Sequence, residues 1–193
     1  MSQITNRANG KVHVMYLHGL EGSPEGTKGR WVRRYFGAVA PSLPASADNI
    51  ENSFYQSYRV AQSAIEVHQP DVIVGSSFGG GVLMKLLQAG DWSGNAVMLA
   101  PAGVKYGVGD HVPEGSHVIL IHSPSDAVVP YEDSECIVKN SAGRAELWPA
   151  EFHESEIKKG HAYGDGNHRL YNIIESGMFA RAIISQIRRS MRT

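Results

Sequence analysis

Apolar residues along the chain fall into two alternating kinds of segment. Short, β-branched runs bounded by turn residues recur at Lys11–Leu17, Asp71–Val74, Asn95–Leu99, His117–His122 and Ala145–Trp148, as strands buried on both faces do. Between them the apolar positions take helical spacing. Trp31, Val32, Tyr35 and Phe36 precede Gly37, and Ile50, Phe54, Tyr58, Ala61 and Ile65 follow a cap at Asp48 or Asn49 and end before Pro70. Val82, Leu83, Leu86 and Leu87 lead to a terminating Gly90, and a further helix opens at Pro130 and runs through Val138. Leu170, Ile173, Ile174, Met178, Ala182, Ile183 and Ile187 outline a long terminal helix. Ala38–Leu43 reads as one more strand, weakened by Pro41 and Pro44 or set at a sheet edge.

Repeated β-α units predict an α/β fold: a three-layer α/β/α sandwich around a mainly parallel sheet of about six strands. In such sheets, sites form beyond the carboxyl ends of the strands. No repeat, low-complexity tract or linker divides residues 1–193, which predicts one domain.

One strand-to-helix junction carries chemistry. Gly75-Ser76-Ser77-Phe78-Gly79 is a G-x-S-x-G pentapeptide between the Asp71–Val74 strand and the helix of Val82 and Leu83. A serine on so sharp a turn needs small neighbours, because the backbone runs close to itself. Gly75 and Gly79 give that room, and Gly80 and Gly81 extend it.

Composition narrows the setting. Apolar residues make up 42% and charged residues 19% of 193, with a formal net charge of −1. This is a globular composition with no bias toward nucleic acid or anionic membrane. Arg30, Arg33 and Arg34 read as a solvated helix face, and Arg188, Arg189 and Arg192 as cations at a helix C-terminus. The lone Cys136 excludes an intrachain disulfide and reads as a structural thiol in a reducing compartment. The apolar run Val12–Leu17 is too short for a signal-peptide core or a span. A cytoplasmic location is expected, with no membrane insertion.

A serine hydroxyl is a weak nucleophile until a base takes its proton. Asp126 follows the His117–His122 strand, at the strand end where an orienting acid belongs. Downstream lie His153, His161 and His168. His153 sits among acidic residues and reads as solvated. His168, in the turn Gly164-Asp165-Gly166-Asn167-His168 before the terminal helix, is favoured as base, and His161 stays in play. An oxyanion needs two fixed N–H donors. Phe78, after the serine, supplies one, and Leu20, beyond Gly19, is the choice for the other. His18 reads as a residue that shapes that loop. Phe78, Tyr106 and Trp92 are candidate apolar neighbours of the site. No Cys/His cluster has metal spacing, and neither a metal nor an organic cofactor is expected.

The pieces Tyr16-Leu17-His18-Gly19, Gly75-Ser76-Ser77-Phe78-Gly79-Gly80, His122-Ser123-Pro124-Ser125-Asp126-Ala127-Val128-Val129-Pro130 and Gly166-Asn167-His168 together resemble the α/β-hydrolase superfamily. Leu17–Pro24 and Gly164–Leu170 resemble the small, lid-less bacterial esterases of the YqiA type. The resemblance implies Ser77 as nucleophile, Asp126 as acid, His168 as base, and the Leu20 and Phe78 amides as oxyanion hole. Against the family pattern, two leading antiparallel strands are missing, and an insertion near 151–163 lengthens the path from Asp126 to His168. Ala102–Ser116 is too short for a helical lid, so an open site is expected, partly covered by Tyr106 and the insertion.

The implied activity is that of a serine hydrolase cleaving carboxylic esters or thioesters through an acyl-enzyme on Ser77. Acyl transfer or carbon–carbon bond hydrolysis would use the same triad. A binding protein that keeps the fold without catalysis is a third reading. The expected partner is a small acyl ester or thioester, with no nucleic acid, and the chain is a monomer or homodimer.

Overall fold

The apolar runs become parallel strands in the computed structural model, which describes residues 12–151, 167–170 and 172–192. They are β1 (Val14–Leu17), β2 (Val72–Ser76), β3 (Asn95–Leu99), β4 (His117–His122) and β5 (Ala145–Pro149). The sheet order is β1-β2-β3-β4-β5, every pair parallel. The sheet therefore has five strands among the described residues, against the six expected. The missing one is Ala38–Leu43, which shrinks to a single parallel bridge between Val39 and Met15. Tyr16 N–H donates to Val39 O (2.8 Å) and Val39 N–H to Val14 O (2.9 Å). Pro41 has no N–H to continue that ladder.

Among the described residues five helices cover the sheet: α1 (Thr27–Phe36), α2 (Ile50–His68), α3 (Phe78–Ala89), α4 (Tyr131–Asn140) and α5 (Met178–Ser190). Because side chains alternate along a strand, each strand feeds two cores. Met15, Leu17, Ile73, Met98 and Leu120 join the side chains of α2, α3 and α4. Val14, Tyr16, Val74, Val97 and Ile121 join those of α1 and α5. The three-layer expectation holds. The local start and stop signals hold as well: Asn49 Oδ1 accepts from Asn52 N–H (3.1 Å), and Gly90 ends α3 at φ 74°.

The terminal helix is shorter than its spacing predicts. Gly177, in the left-handed region at φ 72°, precedes Met178, and 172–176 lie in turns. Leu170 and Ile173 are buried all the same, so their spacing reflects contact with the core and not helical winding.

α3 is the platform of the molecule. Leu83, Met84, Leu86 and Leu87 are all buried, and truncating any one to alanine costs about 2–5 kcal/mol. This helix, driven against β2, fixes the residue between them.

Candidate active site

That residue is Ser77, the hinge between β2 and α3, at φ 51° and ψ −111°. A non-glycine residue held there stores about 1–3 kcal/mol of strain, and its surroundings hold it firmly. Ser77 N–H donates to Leu99 O (2.8 Å), while Ser77 O accepts from Gly81 N–H (3.0 Å) and Ala102 N–H (3.1 Å). The flanking glycines are required by space. A Cβ on Gly75 would sit 2.7 Å from Gly79 O and 2.8 Å from Gly80 Cα, and one on Gly79 would run into the carbonyl oxygens of Leu17 and His18.

Asp126 lies on the loop after β4 with its side chain buried. Its Oδ1 accepts from Val128 N–H (2.8 Å) and Val129 N–H (2.9 Å). Its Oδ2 accepts from two imidazoles, His168 Nδ1 (2.7 Å) and His122 Nε2 (3.0 Å). Burial alone would raise this carboxyl, but hydrogen bonds from His122, His168 and the Val129 and Val128 amides outweigh it and hold Asp126 well below the usual carboxylate range. With the acid ionised, Nδ1 of His168 carries the hydrogen. Its Nε2 is then left to accept from Ser77 Oγ at 2.9 Å. The chain Ser77–His168–Asp126 is unbroken.

His168 rides on a short, anchored segment. Leu170 N–H donates to Asn167 O (2.9 Å), both residues have positive φ, and both are buried. From α1, Lys28 Nζ donates to Arg169 O (2.6 Å).

Ser77 and His168 open onto a cavity of about 820 Å³ whose wall includes Leu20, Tyr106, Val128 and Ile174. Phe78 is the first residue of α3, so its N–H has no partner within the helix, and the positive end of the helix dipole meets Ser77. Leu20 borders the same cavity on the turn after β1. That turn abuts the serine: a Cβ on Gly19 would be 3.6 Å from Ser77 Cβ. Tyr106 lines the cavity and meets the Phe78 ring edge-on at 6.0 Å. The connection from β3 to β4, residues 100–116, holds no helix, in keeping with an open site.

Ser77, the His168 imidazole and the buried Asp126 carboxylate thus meet at the carboxyl ends of β2 and β4 in a parallel sheet. The structure superposes on that of a protein of Xanthomonas campestris pv. campestris, named as a hydrolase of the alpha/beta superfamily, at a TM-score of 0.63 and 16% identity, covering 90% of this chain and 96% of that one. The chain has the α/β-hydrolase fold. Est1E from Butyrivibrio proteoclasticus, solved with ferulic acid bound, is similar at a TM-score of 0.62 and 14% identity, covering 90% of each chain. Mouse alpha/beta hydrolase domain-containing protein 10 is similar at 0.62 and 12%, covering 88% of this chain and 90% of that one. In sequence, residues 13–106 match UPF0227, an uncharacterised protein family. The matched stretch includes the Gly19 turn and Ser77 and stops before Asp126 and His168. No curated protein sequence matches the chain significantly.

Within this α/β-hydrolase fold, the remaining expected residues sort as follows. His18 is buried at the rim and serves the backbone: Nε2 accepts from Leu43 N–H and Nδ1 donates to Gly19 O, both at 2.9 Å. Burial pushes its pKa down, partly offset by the Gly19 bond. Trp92 is not near the site. It is buried beyond α3 and donates from Nε1 to Pro70 O (3.3 Å), at the opposite end of β2. Cys136 lies on α4, half-buried, accepting from Asn140 Nδ2 (3.4 Å). His153, His161 and the 151–163 insertion beyond Glu151 lie outside the described residues. No described helix is long and apolar enough to cross a membrane.

Two residues at the site escape sequence reasoning. Tyr16 lines the cavity floor, with its phenol pushed up to about 12 by burial against a weaker opposing hydrogen bond from Ser76. His122 closes β4 and reads as one more member of a buried strand. The signal that could have found it is its place four residues before Asp126 across a tight turn.

Proposed function

We propose that the protein is a serine hydrolase of carboxylic esters or thioesters. The observation that carries the reading is the hydrogen-bond chain from Ser77 Oγ through His168 to Asp126 at the wall of a cavity. Ser77 Oγ attacks the acyl carbonyl carbon as its proton passes to His168 Nε2. Asp126 fixes the imidazole tautomer and stabilises its protonated form. The carbonyl oxygen, now negative, accepts from the Phe78 and Leu20 amides. His168 returns the proton to the departing alcohol or thiol, which leaves an acyl group on Ser77. Water enters, gives its proton to His168 and attacks the same carbonyl, releasing the acid and restoring the serine.

The cavity has room for an acyl group. Leu20, Tyr106, Val128 and Ile174 give it an apolar wall, and Lys105 and Glu175 give it polar ground. The ferulic acid bound by Est1E makes a feruloyl ester a useful member of a substrate panel.

The test is hydrolysis of p-nitrophenyl esters from acetyl to dodecanoyl, with a feruloyl ester and an acyl thioester beside them. Turnover that disappears in Ser77→Ala and His168→Ala supports the reading, and the chain-length profile gives the acyl class. Turnover retained in Ser77→Ala, or none in folded wild type, overturns it.

A further inference from the structure

The acid of the site is held by more than its own triad. His122 is fully buried, at the last position of β4. Its Nε2 faces Asp126 Oδ2 (3.0 Å) and Val129 O (3.2 Å). Both are acceptors, so Nε2 carries a hydrogen. Its Nδ1 lies 2.8 Å from Oγ of Ser134, itself buried on α4. One neutral tautomer satisfies all three contacts, with Ser134 O–H donating to Nδ1 and Nε2–H donating to the carboxylate. The Tyr131 ring, 5.4 Å away, closes the ring in from α4.

We infer that His122 is a positioning residue for Asp126, and that Ser134 fixes it in the donating tautomer. The inference rests on the reading of Asp126 as the acid that orients His168. The loop that carries Asp126 is exposed at Pro124, Ser125, Ala127 and Val128. The Val128 and Val129 amides fix Oδ1. Without His122, nothing else in the described contacts of Oδ2 besides His168 sets the rotation of the carboxylate about that anchor. His122 does so from the sheet, because its own carbonyl accepts from Ala150 N–H (2.7 Å) and β4 lies between β3 and β5. Its second acceptor, Val129 O, ties the returning limb of the loop to the same ring. The imidazole thus sets the plane of the carboxylate, and the carboxylate sets the plane of the catalytic imidazole.

The experiment compares His122→Gln, His122→Leu and the double variant His122→Leu/Ser134→Ala, which leaves no orphaned hydroxyl. Glutamine keeps an N–H at a similar reach. Melting temperatures identify the folded variants, and kcat and KM are measured on a short p-nitrophenyl ester. The low-field proton spectrum reports the His168 Nδ1–H bond to Asp126, and ¹⁵N shifts of the wild-type imidazoles report the His122 tautomer.

The expected result is a kcat about tenfold or more lower in the folded leucine variants, with KM little changed, as follows when a charge-assisted hydrogen bond no longer orients the acid. Glutamine restores most of it. The wild-type His122 ring is protonated at Nε2 alone, and the low-field proton broadens or shifts in the leucine variants. An Nδ1-protonated His122 in wild type overturns the inference whether or not any variant folds. So does a folded leucine variant with wild-type kcat, or a glutamine variant as impaired as leucine. If wild type neither turns over esters nor reacts at Ser77 with a fluorophosphonate, the catalytic reading has failed by itself. The low-field proton then decides: its loss in the leucine variants supports the positioning role, and its persistence overturns it.

Discussion

Two serine–histidine pairs share one aspartate in this molecule. Ser77 and His168 reach Asp126 Oδ2 from the cavity side, and Ser134 and His122 reach the same oxygen from the core. The hydrogen-bond lengths are alike, 2.9 and 2.7 Å on one arm and 2.8 and 3.0 Å on the other. What differs is the setting. Ser134 is wholly buried in α4. Ser77 faces a cavity, sits at φ 51°, and has the open end of α3 beside it. A serine–histidine–aspartate sequence of contacts is therefore not enough to mark a nucleophile. Access, a strained turn and the open end of a helix set Ser77 apart, and its proposed role rests on these.

The comparison breaks most directly at the serines. Ser77→Ala is expected to lower kcat/KM by about 10⁴-fold and to abolish fluorophosphonate labelling, with Asp126→Asn falling in the same range. Ser134→Ala is expected to lose less than tenfold and to label at Ser77 still. Labelling of Ser134 in wild type, read by peptide mass spectrometry, would erase the distinction. Next in size is Gly79→Ala. A Cβ there meets backbone carbonyls of Leu17 and His18, which no rotamer can relieve, so a loss of about 3 kcal/mol is expected in urea denaturation.

Acid stability sharpens the comparison at the shared carboxylate. Asp126 titrates below its ordinary 3.8 in the fold, so near that pH the unfolded chain takes up the proton first. Its contribution is complete above about 3.8 and is lost as pH falls through the folded-state value. The urea midpoint of wild type should therefore fall more steeply below pH 3.8 than that of Asp126→Asn. The smallest effect belongs to His18. Its folded-state pKa lies below 6.5, so its contribution is intact above that pH and declines as pH drops from there. His18→Gln, which keeps an acceptor for Leu43 N–H, should flatten the melting temperature across the mildly acidic range. An unchanged slope would mean that burial does not hold His18 neutral.

Legibility in the sequence followed the range of the physics. The β2–Ser77–α3 junction was readable because strand pattern, glycine spacing and helical pattern all lie within twenty residues of one another. Asp126 was readable from its place after a strand. His168 needed chain order besides, and only its turn directly before the terminal helix set it apart from His161. His122 was invisible because the strand His117–His122 reads as buried throughout, and its partner lies across a loop. The terminal helix came out too long because Leu170 and Ile173 are apolar for contact with the core. Trp92 was misplaced because position along a chain says little about which end of a sheet a residue meets.

From β1 onward the strands join the sheet in the order in which they occur in the chain. The elbow at Ser77 is built from β2, α3 and the end of β3, whereas Asp126 follows the fourth strand and His168 the fifth. On the proposed reading, Ser77 stays without its base until the segment after β5 has docked beside it.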